Sequence, residues 1–148
     1  MSLENEVSSE TPESSGHVPI AGSASVAFSP DSRLLAAGGA EELRFYDVGT
    51  LRVVHSILRR PSRPLPPRFA FMRGSSLCAV VLPPDEILIV DTKTGAKLAT
   101  LPASSYMLWG VSFGPGDRFL AATSSDHRVL IWDFVKLRQE LRELGLDW

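Results

Sequence analysis

Three aspartates set the frame of this chain. Asp47, Asp91 and Asp133 each close a short apolar run, and they lie 44 and 42 residues apart. Each run has a partner just upstream. Leu34-Leu-Ala-Ala-Gly38 leads through a turn to Leu43-Arg-Phe-Tyr-Asp47, and Leu77-Cys-Ala-Val-Val81 leads to Ile87-Leu-Ile-Val-Asp91. In the third copy Phe119-Leu-Ala-Ala-Thr123 passes through Ser124-Ser-Asp-His127 to Val129-Leu-Ile-Trp-Asp133. Ser and Asp side chains bond their own backbone at a reversal, so this last stretch reads as a hairpin. Four to six apolar residues between turns are too short for helices and suit strands. A self-similar period of about 43 residues made of strands alone predicts a stack of small antiparallel sheets, as in a propeller.

The residues of the third copy carry a resemblance. Leu108-Trp-Gly-Val-Ser-Phe-Gly-Pro-Gly-Asp-Arg-Phe-Leu-Ala-Ala-Thr-Ser-Ser-Asp-His-Arg-Val-Leu-Ile-Trp-Asp133 resembles a WD-repeat (WD40) blade. Val26-Ala-Phe-Ser-Pro-Asp-Ser-Arg-Leu-Leu-Ala-Ala-Gly38 matches the start of the same pattern, and Phe69 to Val81 is a degenerate copy. The resemblance implies an all-β fold: a partial, three-blade β-propeller of four-stranded antiparallel sheets, closed by a short C-terminal α-helix. The expected organisation is an acidic, disordered tail over 1–20, three blades within 21–133 (about 21–58, 66–101 and 106–133), and a helix with its tail over 134–148.

Composition narrows the function classes. Hydrophobic residues make 44% and charged ones 22% of the 148, which suits a globular chain with a real core. A net charge of −2 gives no general attraction to nucleic acid or to an anionic membrane. No apolar run approaches the ~20 residues of a membrane helix. One cysteine excludes an internal disulfide framework and fits a reducing, cytoplasmic setting. Glu4, Glu6, Glu10 and Glu13 stand without a base in the first sixteen residues, which offer too little apolar surface to order themselves.

Between the first two copies, Arg59 to Arg68 holds four prolines and four arginines and predicts an extended connector. Its Pro64-Leu-Pro-Pro67 is a PxxP, but no base completes an SH3-type ligand, so the segment reads as a rigid loop. Cys78 lies within an apolar strand, where a thiol packs as a small hydrophobe. His55 reads as an edge-strand surface residue and His17 as a loop residue. After Asp133 the period changes: Phe134, Leu137, Leu141 and Leu144 lie on one helical face, with Asp133 placed to cap its start and Gly145 to end it. This tail also resembles the end of large bacterial WD-repeat proteins.

The WD family braces a blade with a Gly-His pair, a Ser or Thr, a turn Asp and the Trp of the closing pair. Ser124, Asp126 and Trp132 are similar to three of these, and Ala103-Ser104 stands where the Gly-His pair would be. The resemblance gives this network a structural role. It also places the residue after the first apolar position of each inner strand at the channel rim. That position is Trp109, with Pro67 and Ala24 as counterparts, and Tyr106 and Arg68 are expected nearby. These make the candidate partner-binding group, because buried or rim aromatics and arginines dominate binding energies.

No catalytic, cofactor-binding or metal-ligating residues are assigned. The Ser-Asp-His at 125–127 lies in a tight turn without a nucleophile elbow. The expected function is a non-enzymatic scaffold for a protein or peptide partner or for further propeller blades, self-association included. Two alternatives stand beside it. An enzyme-type propeller, lactonase or quinoprotein-like, needs inward-facing ligands, and His17, His55 and His127 are far apart. A non-functional remnant or fragment of a larger WD-repeat protein is the other.

Overall fold

The computed structural model describes residues 17–58, 65–82, 86–103 and 107–148. The acidic stretch 1–16, most of the Arg-Pro connector and residues 83–85 and 104–106 lie outside the described residues. Three antiparallel sheets succeed one another along the chain. The first contains β1 (Ser25–Phe28), β2 (Leu34–Gly38), β3 (Glu42–Asp47) and β4 (Val53–Leu58), paired in that order. The second contains β5 (Arg68–Phe71), β6 (Leu77–Leu82), β7 (Glu86–Asp91) and β8 (Lys97–Pro102). The third has β9 (Leu108–Phe113), β10 (Phe119–Ser124) and β11 (Val129–Asp133), and α1 (Phe134–Glu143) comes directly after it.

The sequence period is also a spatial one. Leu34 pairs with Asp47, Leu77 with Asp91 and Phe119 with Asp133, so each closing aspartate stands opposite the first residue of the preceding strand. Strand alternation then sends successive side chains to opposite faces of each sheet. In the first sheet Ala36, Leu43, Phe45 and Ile57 face the second, where Cys78, Val80, Leu88 and Val90 meet them. The other face of the second sheet presents Ala79, Val81, Ile87 and Ile89 to Leu108, Leu120 and Ala122 of the third. Sheet two is therefore buried on both sides, and its strands β6 and β7 are continuous apolar runs without polar alternation.

Each closing aspartate organises the corner beyond it. The Asp47 carboxylate accepts from the Thr50 amide and hydroxyl, both at 2.8 Å. Asp91 accepts from the Lys93 amide at 2.9 Å, the Ser76 hydroxyl at 2.8 Å and the Thr94 hydroxyl at 3.1 Å. Asp133 accepts from the Lys136 amide at 3.1 Å, which caps α1, and from Arg118 at 3.1 Å. The residues just after the aspartate decide between turn and helix. Gly49-Thr50 and Thr94-Gly95 make tight loops, whereas Phe134-Val-Lys-Leu137 continues as a helix.

That choice accounts for the third sheet, which among the described residues has three strands where the other two have four. Phe134 is buried at an edge-to-face contact with Phe113, ring centroids 5.5 Å apart, and Trp148 lies 6.4 Å away on another side. The helical spacing of Phe134 and Leu137 thus roofs the seam between sheets two and three. The helix ends in a Schellman turn, with Gly145 at φ 70°, its N–H on the Arg142 carbonyl and the Leu146 N–H on Leu141. Asp147 then folds back on Arg138 and Arg142, each at 3.1 Å.

Two further departures concern the first sheet. His55 is half-buried, and its Nε2 lies 3.0 Å from the Lys93 carbonyl in the loop of the next sheet, instead of sitting on an open edge. Residues 17–20, expected to belong to the tail, run beside the first sheet. The Ala40 N–H bonds the Ala21 carbonyl, and Ile20 crowds Gly39 so closely that a Cβ there would sit 2.6 Å from its Cγ2.

Candidate partner-binding surface

The innermost strands of the three sheets, β1, β5 and β9, lie side by side, because each is the first strand of its sheet. Side-chain to backbone bonds clasp them at two places. The Ser25 hydroxyl donates to the Pro67 carbonyl, tying sheet one to the approach of sheet two. Asp117, in the turn Pro115–Asp117, accepts from the Arg73 amide at 3.1 Å and the Gly74 amide at 2.6 Å, tying sheet three to sheet two.

On this frame Trp109 is 53% exposed, although it belongs to a strand with a buried face. A shallow cleft of about 30 Å³ joins it to Leu65, Pro66, Arg68, Met107 and Leu108. The fold thus brings Trp109 and Arg68, 41 residues apart, to one place. Tyr106 lies outside the described residues. The counterparts of Trp109 differ: Pro67 is buried and Ala24 is exposed. The cleft has room for about one water, so the surface offers an indole and a guanidinium to a facing molecule and no enclosed substrate site.

The residues expected to brace the third sheet fall into two groups. The Ser124 hydroxyl donates to Asp126 Oδ1, and Arg128 Nε lies 3.0 Å from Asp126 Oδ2. The His127 backbone takes φ 66° to complete the turn. Trp132 pairs across the hairpin with Leu120, so its backbone is at the far end from Ser124. Its half-buried ring packs against the seam between sheets two and three.

Burial drives the Cys78 thiol strongly upward from its ordinary pKa, which keeps it protonated. Among the described residues no three His, Cys, Asp or Glu side chains cluster as metal ligands. No described helix is long and apolar enough to cross a membrane. A second cleft lies between sheet two and the tail, lined by Ser75, Ser76, Leu77, Asp91, Leu98, Arg138 and Trp148. Burial there acts to raise the Asp91 pKa, but the Lys93 amide and the Ser76 and Thr94 hydroxyls outweigh it and hold it low. A carboxylate so engaged is a structural acceptor.

With this geometry in view, the family model described as WD domain, G-beta repeat, matches residues 10–47 and 95–133, just over half of the chain. The chain belongs to the WD40 repeat family. The degenerate middle copy falls outside most of both matches, yet it forms a four-stranded sheet in the same register as the first. WD repeat-containing protein 3 of Mus musculus is 25% identical over 119 residues, covering 74% of this chain and 11% of that protein. The same protein of Homo sapiens is 24% identical over 125 residues, 78% of this chain and 12% of that one. The WD40 chain therefore spans only 11% to 12% of the length of these relatives. Among solved structures, the Cps50 (Swd1) beta-propeller domain of Myceliophteria thermophila superposes with a TM-score of 0.63 at 16% identity. That match covers 74% of this chain and 35% of the other. A chain of the Mitotic Checkpoint Complex gives 0.63 at 18% identity, over 74% and 34%. The three sheets are thus an arc with the curvature of a propeller.

Proposed function

We propose that this chain is a non-enzymatic interaction scaffold: an arc of WD40 propeller whose ring is completed by further sheets and whose inner rim holds a protein or peptide. The observation that carries it is the exposure of Trp109 beside Arg68 on otherwise clasped inner strands. An exposed indole on a rigid strand loses little freedom on binding, and the pairing of Trp with Arg is the composition of interface hot spots. One of the structural neighbours is a chain within a multi-protein assembly by its own name, the Mitotic Checkpoint Complex, which supports a protein partner here by analogy. A reducing compartment suits the single, buried Cys78.

The test compares the parent with Trp109→Ala and Arg68→Ala in quantitative affinity capture from matched extracts. Proteins recovered by the parent and depleted about tenfold or more with either variant, both folded by circular dichroism, are the expected result. An identical set recovered with all three proteins overturns the assignment of this rim.

A further inference from the structure

The two outer faces of the arc carry apolar residues at most of the positions that fill its two inner seams, with Arg44 of sheet one in the place of Leu88 and Thr123 of sheet three in the place of Val81. Toward the next sheet, Leu43 and Phe45 of sheet one correspond to Ile87 and Ile89 of sheet two, and all four are fully buried. Their counterparts in sheet three are Val129 and Ile131, which are 61% and 65% exposed. Toward the preceding sheet, Phe69 and Phe71 of β5 pack on sheet one, and Val111 and Phe113 of β9 pack on sheet two. Their counterparts in β1 are Val26 and Phe28, each 62% exposed. One end of the arc therefore ends in the forward half of a seam and the other in the backward half. Contiguous aliphatic and aromatic surface of this kind marks a place of contact.

We infer that the partner of these faces is a second copy of this chain: sheet three of each copy seats on sheet one of the other, closing a ring of six sheets. The inference rests on the reading of the three sheets as a propeller arc and goes beyond it by naming what supplies the rest. Continuity with the existing seams fixes the geometry. In the first seam Phe45 meets Phe71 edge-to-face, centroids 6.4 Å apart. Shifted along the repeat, the same contact pairs Ile131 of one copy with Phe28 of the other. A head-to-tail contact repeated by rotation either closes or propagates, and six sheets fall within the ~4–8 that propellers close with. β11 also ends sheet three with no fourth strand beyond it among the described residues, which leaves its outer edge open to the segment 17–21 carried over sheet one by the other copy.

Light scattering with size-exclusion chromatography on the 148-residue chain tests this. The parent is expected at about twice its 16.1 kDa mass at micromolar concentration. Phe28→Lys and Ile131→Glu alter exposed side chains, so each should keep the parent's circular dichroism and run at the mass of one copy. The double variant, which sets Lys against Glu at both junctions, should return toward the doubled mass. A cooperatively folding single-copy parent overturns the inference. So does a dimer indifferent to one of the single variants, a double variant no heavier than the singles, or a parent that grows into open polymers. Trp109→Ala leaves the mass unchanged, so loss of rim binding and loss of ring closure are read separately.

Discussion

Leu51 holds in the first sheet the backbone position that Gly95 holds in the second. Both come four residues after a closing aspartate, both donate their N–H to that aspartate's carbonyl at 2.8 Å, and both lie in the left-handed region, at φ 54° and 75°. Glycine takes this conformation freely, while a side chain with a Cβ meets a cost of about 1–2 kcal/mol there.

The pair gives opposite expectations. Leu51→Gly relieves the backbone and loses little packing, because Leu51 is half-exposed. After allowing for the greater freedom of glycine in the unfolded chain, it should stabilise by up to about 1 kcal/mol. Gly95→Ala should destabilise, since its Cβ would lie 2.7 Å from His55 Nδ1 in addition to the strained φ. Thermal melts of the two variants beside the parent decide it, and a lower midpoint for Leu51→Gly would refute the argument.

Asp117 is expected to hold sheets two and three in register at their turns. Asp117→Ala leaves the Arg73 and Gly74 amides to water and should cost about 1 kcal/mol. Hydrogen exchange is the sharper readout. The Arg73 and Gly74 amides should exchange faster in the variant while those of β1 and β2 keep the parent's rates.

The pH dependence arises at the corners. The Lys136 amide foremost, then Arg118, holds Asp133 below the ordinary carboxylate value, and the Thr50 hydroxyl foremost does the same for Asp47. A carboxyl whose folded pKa is depressed contributes stability that is complete above its unfolded value of about 3.9 and is lost as pH falls through the folded one. Unfolding midpoints should therefore be level from about pH 7 to about 5 and drop steeply below about 4. Asp133→Asn should start lower and fall less steeply over that last interval.

Trp132→Ala should cost about 2–3 kcal/mol in denaturant unfolding, less than the ~3–5 of a fully enclosed ring, because one side of the indole meets solvent. Phe134→Ala, which removes a buried ring between Phe113 and Trp148, should reach the upper range. A Phe134 variant as stable as the parent would show that α1 does not hold the seam.

The strands and the helix were legible because their signals are local. A short apolar run between turns placed β6 from Leu77, and apolar spacing after Asp133 started α1 at Phe134. The seam contacts were not legible in the same way. His55 reads as a surface residue on its own strand, and only the arrival of Lys93, 38 residues later, makes it half-buried. Ser25 with Pro67 and Asp117 with Gly74 are likewise 42 and 43 residues apart. Leu51 hides its backbone because its identity argues against positive φ, and the available signal was its alignment with Gly95. Trp109 was singled out by the family pattern, while the cleft it shares with Arg68 depends on how β5 and β9 meet.

Sheet two, walled on both sides, has no surface on which to absorb change. Cys78, Ala79, Val80 and Val81 are successive residues of β6, and each meets a neighbour on one side or the other. Mutations that alter volume there have nowhere to expand, whereas each end sheet has one face that no other sheet of the same chain covers. That difference sets the order of local opening: the outer strands should exchange their amides first, and β6 and β7 should release theirs only when the whole arc comes apart.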